Sequence, residues 1–80
     1  MNIKILGTGC SRCKALENVV TDAVTELGIE AKVIKVEDIS DIMAYGIMRT
    51  PGLVIDEKIV LSGKVPGLTE AKNIITQNSK

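Results

Sequence analysis

Gly7-Thr8-Gly9-Cys10-Ser11-Arg12-Cys13-Lys14 holds both cysteines of the 80-residue chain, three positions apart, where a short apolar run ends and an amphipathic pattern begins. On the first turn of a helix that spacing puts one sulfur at the N-terminus and the other a turn inside, within reach of a small disulfide ring. Unpaired amide N–H groups and the positive end of the helix dipole favour a thiolate on the outer sulfur. Leu16, Val19, Val20, Ala23, Val24 and Leu27 form one apolar helical face. Cys13, three residues before Leu16, extends that stripe, whereas Cys10 precedes it and is expected at the helix entrance. An exposed attacking sulfur and a shielded resolving sulfur are what thiol–disulfide exchange requires.

Outward from this stretch, Asn2 to Leu6 reads as a strand, with Gly7 and Gly9 giving the turn its freedom and leaving room beside Cys10. The helix is expected from about Ser11 to Leu27, stopped by Gly28. Ala31 to Val36 is almost continuously apolar, as expected of a strand covered on both faces in a parallel pair. Asp38 or Ser40 can cap a short helix that places Ile39, Ile42, Met43 and Gly46 on one face and ends near Gly46. Leu53 to Ile55 and Ile59 to Ser62 read as an antiparallel hairpin around Asp56-Glu57-Lys58. After the turn signal Pro66-Gly67, a last helix from about Leu68 to Gln77 is expected to bury Leu68, Ala71, Ile74 and Ile75, with 78–80 fraying. The order is β-α-β-α-β-β-α, an α/β class read as one domain over 1–80, without repeats or linkers.

Composition narrows the function. Ten basic and ten acidic residues cancel, and Tyr45 is the one aromatic, so neither an electrostatic footprint nor a base-stacking surface for nucleic acid is present. No run approaches the ~20 apolar residues of a membrane span, and Lys4 interrupts the N-terminal run too early for a signal peptide. The expectation is therefore a cytoplasmic protein with no membrane partner. In a reducing compartment, cysteines at this spacing serve redox chemistry or metal binding more often than stability. Zinc fits poorly, because two thiolates are half a tetrahedral set and the chain has no histidine. A soft ion such as Cu(I) could accept two thiolates, which leaves a soft-metal carrier as the alternative.

Cys10-Ser11-Arg12-Cys13-Lys14, then Arg49-Thr50-Pro51 with the Leu-Val-Ile strand after it, then Gly63 past the hairpin, occur in an order and spacing that resembles the minimal thioredoxin fold. More narrowly, the chain looks like the small prokaryotic thioredoxin-like redox-active disulfide proteins of glutaredoxin size. The resemblance implies a four-stranded mixed sheet flanked by three helices, with Cys10 as nucleophile and Cys13 as resolving cysteine. It further implies a cis-proline at Pro51 that faces the disulfide and, with Thr50, docks an extended substrate segment. Arg12, near the exposed sulfur, is the candidate for partner selection, and Lys14 reads as a solvated helix residue. Ile47 and Met48 are either an apolar docking rim or core.

Ser11-Arg12 is neither the Gly-Pro usual in thioredoxins nor the Pro-Tyr usual in glutaredoxins, and no tryptophan precedes Cys10. Where thioredoxins carry a buried acid on the first strand, this chain offers Lys4. An inward ammonium would hold a thiolate; the preferred reading lays the stem on the core and sends the ammonium to water. Heavy-metal-associated domains also open a helix with Cys-x-x-Cys, but their order is β-α-β-β-α-β. The function implied is thiol–disulfide exchange with a client protein or small thiol. No tightly bound cofactor is needed, electrons come from a separate reductase or a low-molecular-weight thiol, and a monomer is the simplest expectation.

Overall fold

The computed structural model describes residues 1–9, 11–47 and 49–78. In these residues the elements run β1 (Asn2–Leu6), α1 (Ser11–Leu27), β2 (Lys32–Val36), α2 (Ile39–Ala44), β3 (Gly52–Ile55), β4 (Lys58–Ser62) and α3 (Leu68–Gln77). The four strands form one sheet in the order β2-β1-β3-β4. β1 is parallel to β2 and antiparallel to β3, which is antiparallel to β4. This is the mixed sheet with three helices that the resemblance implied.

Alternation along β1 assigns its faces. Ile3 and Ile5 point to one side, where they join Leu16, Val20 and Ala23 of α1, Leu53 and Ile55 of β3, and Ala71 and Ile75 of α3. Leu6 points to the other side and meets Val54 and Ile42 of α2. The larger core thus lies under α1 and α3. Buried Cys13, Leu16, Val20 and Ala23 are spaced three, four and three apart, the stripe the sequence predicts. Gly28, at φ 65°, donates its N–H to the Val24 and Thr25 carbonyls and ends α1 in the left-handed conformation that glycine adopts without strain.

The structure revises four expectations. β2, starting at Lys32, is an edge strand with Lys32 and Lys35 exposed; β3, between β1 and β4, is the strand buried at every position. α2 buries only Ile42, leaving Ile39 61% and Met43 68% exposed, because a helix of six residues offers the sheet little more than one inward position. In α3, Leu68 is exposed and Ile74 half-buried, so Ala71 and Ile75 carry the contact. The hairpin turn is Asp56-Glu57, both at positive φ, and Lys58 already belongs to β4. Asp56 compensates by exchanging bonds with Asn2: its N–H donates to the Asn2 carbonyl and its Oδ1 accepts from the Asn2 N–H, each at 2.8 Å. Among the described residues no helix is long and apolar enough to cross a membrane. The expected fraying of the tail falls partly on 79–80, outside the described residues.

Candidate functional site

α1 starts at Ser11, the residue after Cys10; Cys10 itself, the expected nucleophile, lies outside the described residues, as does Met48. Cys13, in the first turn of α1, is 5% exposed. Its sulfur rests on Gly7, which follows β1 and donates its N–H to the Val36 carbonyl at 3.0 Å. A Cβ on Gly7 would lie 2.3 Å from Cys13 Sγ and 2.9 Å from Cys13 Cβ. Gly7 is therefore required by the room the Cys13 thiol occupies, not by backbone freedom, and the room expected beside Cys10 is shown here beside Cys13. Gly9, at φ 87°, is the glycine whose backbone conformation requires its type. Cys13 also lines a cavity of about 50 Å³ with Ile5, Gly7, Gly9, Lys14, Glu17, Lys35 and Glu37, where Lys35 Nζ lies 3.9 Å from Glu17 Oε2.

The second half of the site arrives through the sheet. Leu6 pairs with Gly52, so Gly7 and Pro51, one residue beyond each, emerge at the same end. The Thr50–Pro51 bond is cis, Pro51 is fully buried and Thr50 is exposed. The Pro51 carbonyl accepts the Gly63 N–H at 2.8 Å, and the Gly63 carbonyl accepts Arg12 Nη2 at 3.1 Å. Arg12 of α1 is thereby tied to Pro51 through one residue past β4. Gly63 is at φ 70°, and a Cβ there would meet Arg49 Cβ at 2.9 Å, so the Arg49 stem crosses its face. The sequence singled out Gly63 without a role and gave Arg49 none; its position next to Thr50-Pro51 was the available signal. Ile47 packs half-buried beside Leu6, its Cδ1 2.8 Å from where a Gly52 Cβ would stand, so it is core rather than rim. Lys14 is exposed, as expected.

Lys4 turns toward α2, away from the Cys13 face. Its Nζ donates to Tyr45 Oη at 2.8 Å and to Glu57 Oε1, and the Tyr45 hydroxyl donates to Glu57 Oε2 at 3.2 Å. The Glu57 hydrogen bond, then that from Tyr45, raises the Lys4 pKa above the ordinary lysine value, and the Lys4 hydrogen bond lowers that of Glu57. The ammonium, expected in water, instead meets Tyr45 and Glu57.

A mixed sheet in this strand order, with a cysteine seated at the first turn of α1 and a cis-proline at the same sheet end, defines the class of small thioredoxin-fold proteins. A family model for the thioredoxin domain matches residues 1–76. A thioredoxin of Methanothermobacter thermautotrophicus is 38% identical over 76 residues, covering 95% of this chain and 99% of that protein. A thioredoxin of Methanocaldococcus jannaschii is 43% identical over 70 residues, covering 88% of this chain and 80% of that one. The chain belongs to the thioredoxin domain family, which places it at family level among thiol–disulfide oxidoreductases.

Proposed function

We propose that the chain reduces disulfides of client proteins or small molecules through a Cys10/Cys13 dithiol. The Cys10 thiolate attacks one client sulfur, breaking the client S–S bond and releasing a client thiolate that takes up a proton. Cys13 then gives up its proton and attacks Cys10, releasing the second client sulfur as a thiolate that is protonated in turn. Two electrons pass to the client and a Cys10–Cys13 disulfide remains. A separate reductase or a low-molecular-weight thiol returns the pair to the dithiol, and the protein acts as a monomer in the cytoplasm without a bound cofactor. Thr50 and Pro51 take the client segment, with its backbone pairing at Thr50 in β fashion, and Arg12 contributes to partner choice.

The observation that carries this reading is the seat of Cys13: nearly buried on Gly7, in the first turn of α1, at the sheet end that also presents Thr50-Pro51. A shielded sulfur suits the resolving step, which is intramolecular. The soft-metal carrier draws on the same two sulfurs but gives Thr50-Pro51 no task. Cys13→Ser tests the proposal, because without the resolving sulfur the mixed disulfide through Cys10 should accumulate on a peptide disulfide, while the wild type releases reduced peptide. If mass spectrometry finds no adduct, the exchange mechanism is wrong.

A further inference from the structure

Two arginines converge on Gly63 at the end of β4. Arg12 Nη2 bonds its carbonyl at 3.1 Å, and the Arg49 stem lies against the face a Cβ would occupy. Both are exposed, and among the described residues neither guanidinium has a carboxylate within ion-pairing distance; the pairs found there, Lys4–Glu57, Lys35–Glu17, Lys64–Glu70 and Lys72–Glu26, all use lysines. Arg12 is also set against its own helix. It lies in the first turn of α1, which has no acidic residue there, so its charge opposes the helix dipole.

Charges of both signs, Lys14, Lys35, Glu17 and Glu37, surround the Cys13 cavity. Glu37 and Asp38 follow β2 at one edge, whereas Gly63 with its two arginines follows β4 at the other. Arg49 immediately precedes Thr50, so an extended segment laid along Thr50 passes it. We propose that Arg12 and Arg49 form a cationic rim on the Thr50-Pro51 dock, and that the client is a protein whose reducible cysteine is flanked by acidic residues. This inference rests on the exchange reading above. Rim charges of this kind act mainly on the association rate and are weakened by salt.

The test uses three peptide disulfides of one sequence whose flanking positions carry Glu, Gln or Lys. Their reduction by the dithiol protein is followed by alkylation, and each rate is normalised to reduction by dithiothreitol, which removes the effect of the flanks on the peptide's own thiols. The expected order is Glu over Gln over Lys, with about tenfold between the extremes at low salt and about twofold in 0.5 M NaCl. Arg49→Glu should abolish or reverse the order, and Arg12→Gln and Arg49→Gln should each weaken it. Lys32→Glu makes the same change in net charge as Arg49→Glu but at the Asn2 end of β2, and should leave the order standing. Equal rates for the Glu and Lys peptides, or a reversal by Lys32→Glu as large as that by Arg49→Glu, would overturn the inference while leaving exchange intact. If the Gln peptide is not reduced either, the exchange reading fails and this one with it.

Discussion

A single hydrogen on the α-carbon of Gly7 decides where the Cys13 sulfur can lie. Gly7→Ala would push a methyl to 2.3 Å from that sulfur, and neither β1 nor α1 can withdraw without disturbing the core. The expected cost is about 1–3 kcal/mol in urea unfolding, with Cys13 alkylating faster in the folded state; unchanged stability would show that the seat is looser than described. Gly7 could be read as a small residue beside the motif, but which cysteine it serves follows from the meeting of β1 with α1, which spacing does not encode. Glu57 supports a second prediction. Its pKa is lowered on folding, so its contribution is present above the ordinary carboxylate range and lost as pH falls through the lowered value. Lys4, raised on folding, contributes below the ordinary lysine value and loses that only as pH rises through its elevated one. The difference in urea midpoint between wild type and Glu57→Gln should therefore be flat from about pH 6 to 9 and shrink below about pH 4. With the two side chains 24% and 64% exposed, the difference is small, and its growth toward acid would contradict the assignment.

At the scale of elements, the two described caps differ. Asp38 Oδ1 accepts the Ser40 N–H at 2.8 Å and starts α2, whereas Gly67 caps α3 with extended backbone and no side-chain bond, in open space. Asp38→Ala should cost about 1 kcal/mol and Gly67→Ser should gain a few tenths, both read from urea midpoints; a neutral Asp38→Ala would mean that α2 is held by Ile42 alone. Element limits were legible wherever period and cap agree: Ser11 to Leu27 and Leu68 to Gln77 match the helices residue for residue. Neighbour relations were less legible. Ala31 to Val36 carries Lys32 and Lys35 whereas Leu53 to Ile55 is wholly apolar, so those lysines were the available sign of an edge strand; the pairing of β3 with both β1 and β4 makes it central. The exposure of Ile39 and Met43 was hidden, since helical period states which residues share a face but not how many of them a short helix can press onto the sheet.

For the whole molecule, the two faces of the sheet carry unequal shares of the core. Ile75 of α3 is completely buried among α1 and the sheet, while Met43 of α2 stands 68% exposed on the other side. Ile75→Ala should cost about 2–5 kcal/mol, a large part of the roughly 4–12 kcal/mol expected for a chain of 80 residues. Met43→Ala should stay within about 0.5 kcal/mol. We propose that residues 1–80 form one domain, so that the chain unfolds in one transition seen alike by circular dichroism and by Cys13 alkylation; two separated transitions would divide it. Of the candidate site, the buried seat of Cys13 and the cis bond at Thr50-Pro51 were legible from Cys-x-x-Cys and Thr-Pro, because both are local patterns with strong backbone consequences. Its closure through Arg12, Gly63 and Pro51 joins three distant segments and needed the fold. Exchange through Cys10 and Cys13 stands or falls on a redox titration of metal-free protein in a thiol buffer, with alkylation and mass at each point. One reversible two-electron transition between dithiol and intramolecular Cys10–Cys13 disulfide is expected at roughly −200 to −270 mV; a pair that forms no such disulfide across the accessible range would rule the exchange out.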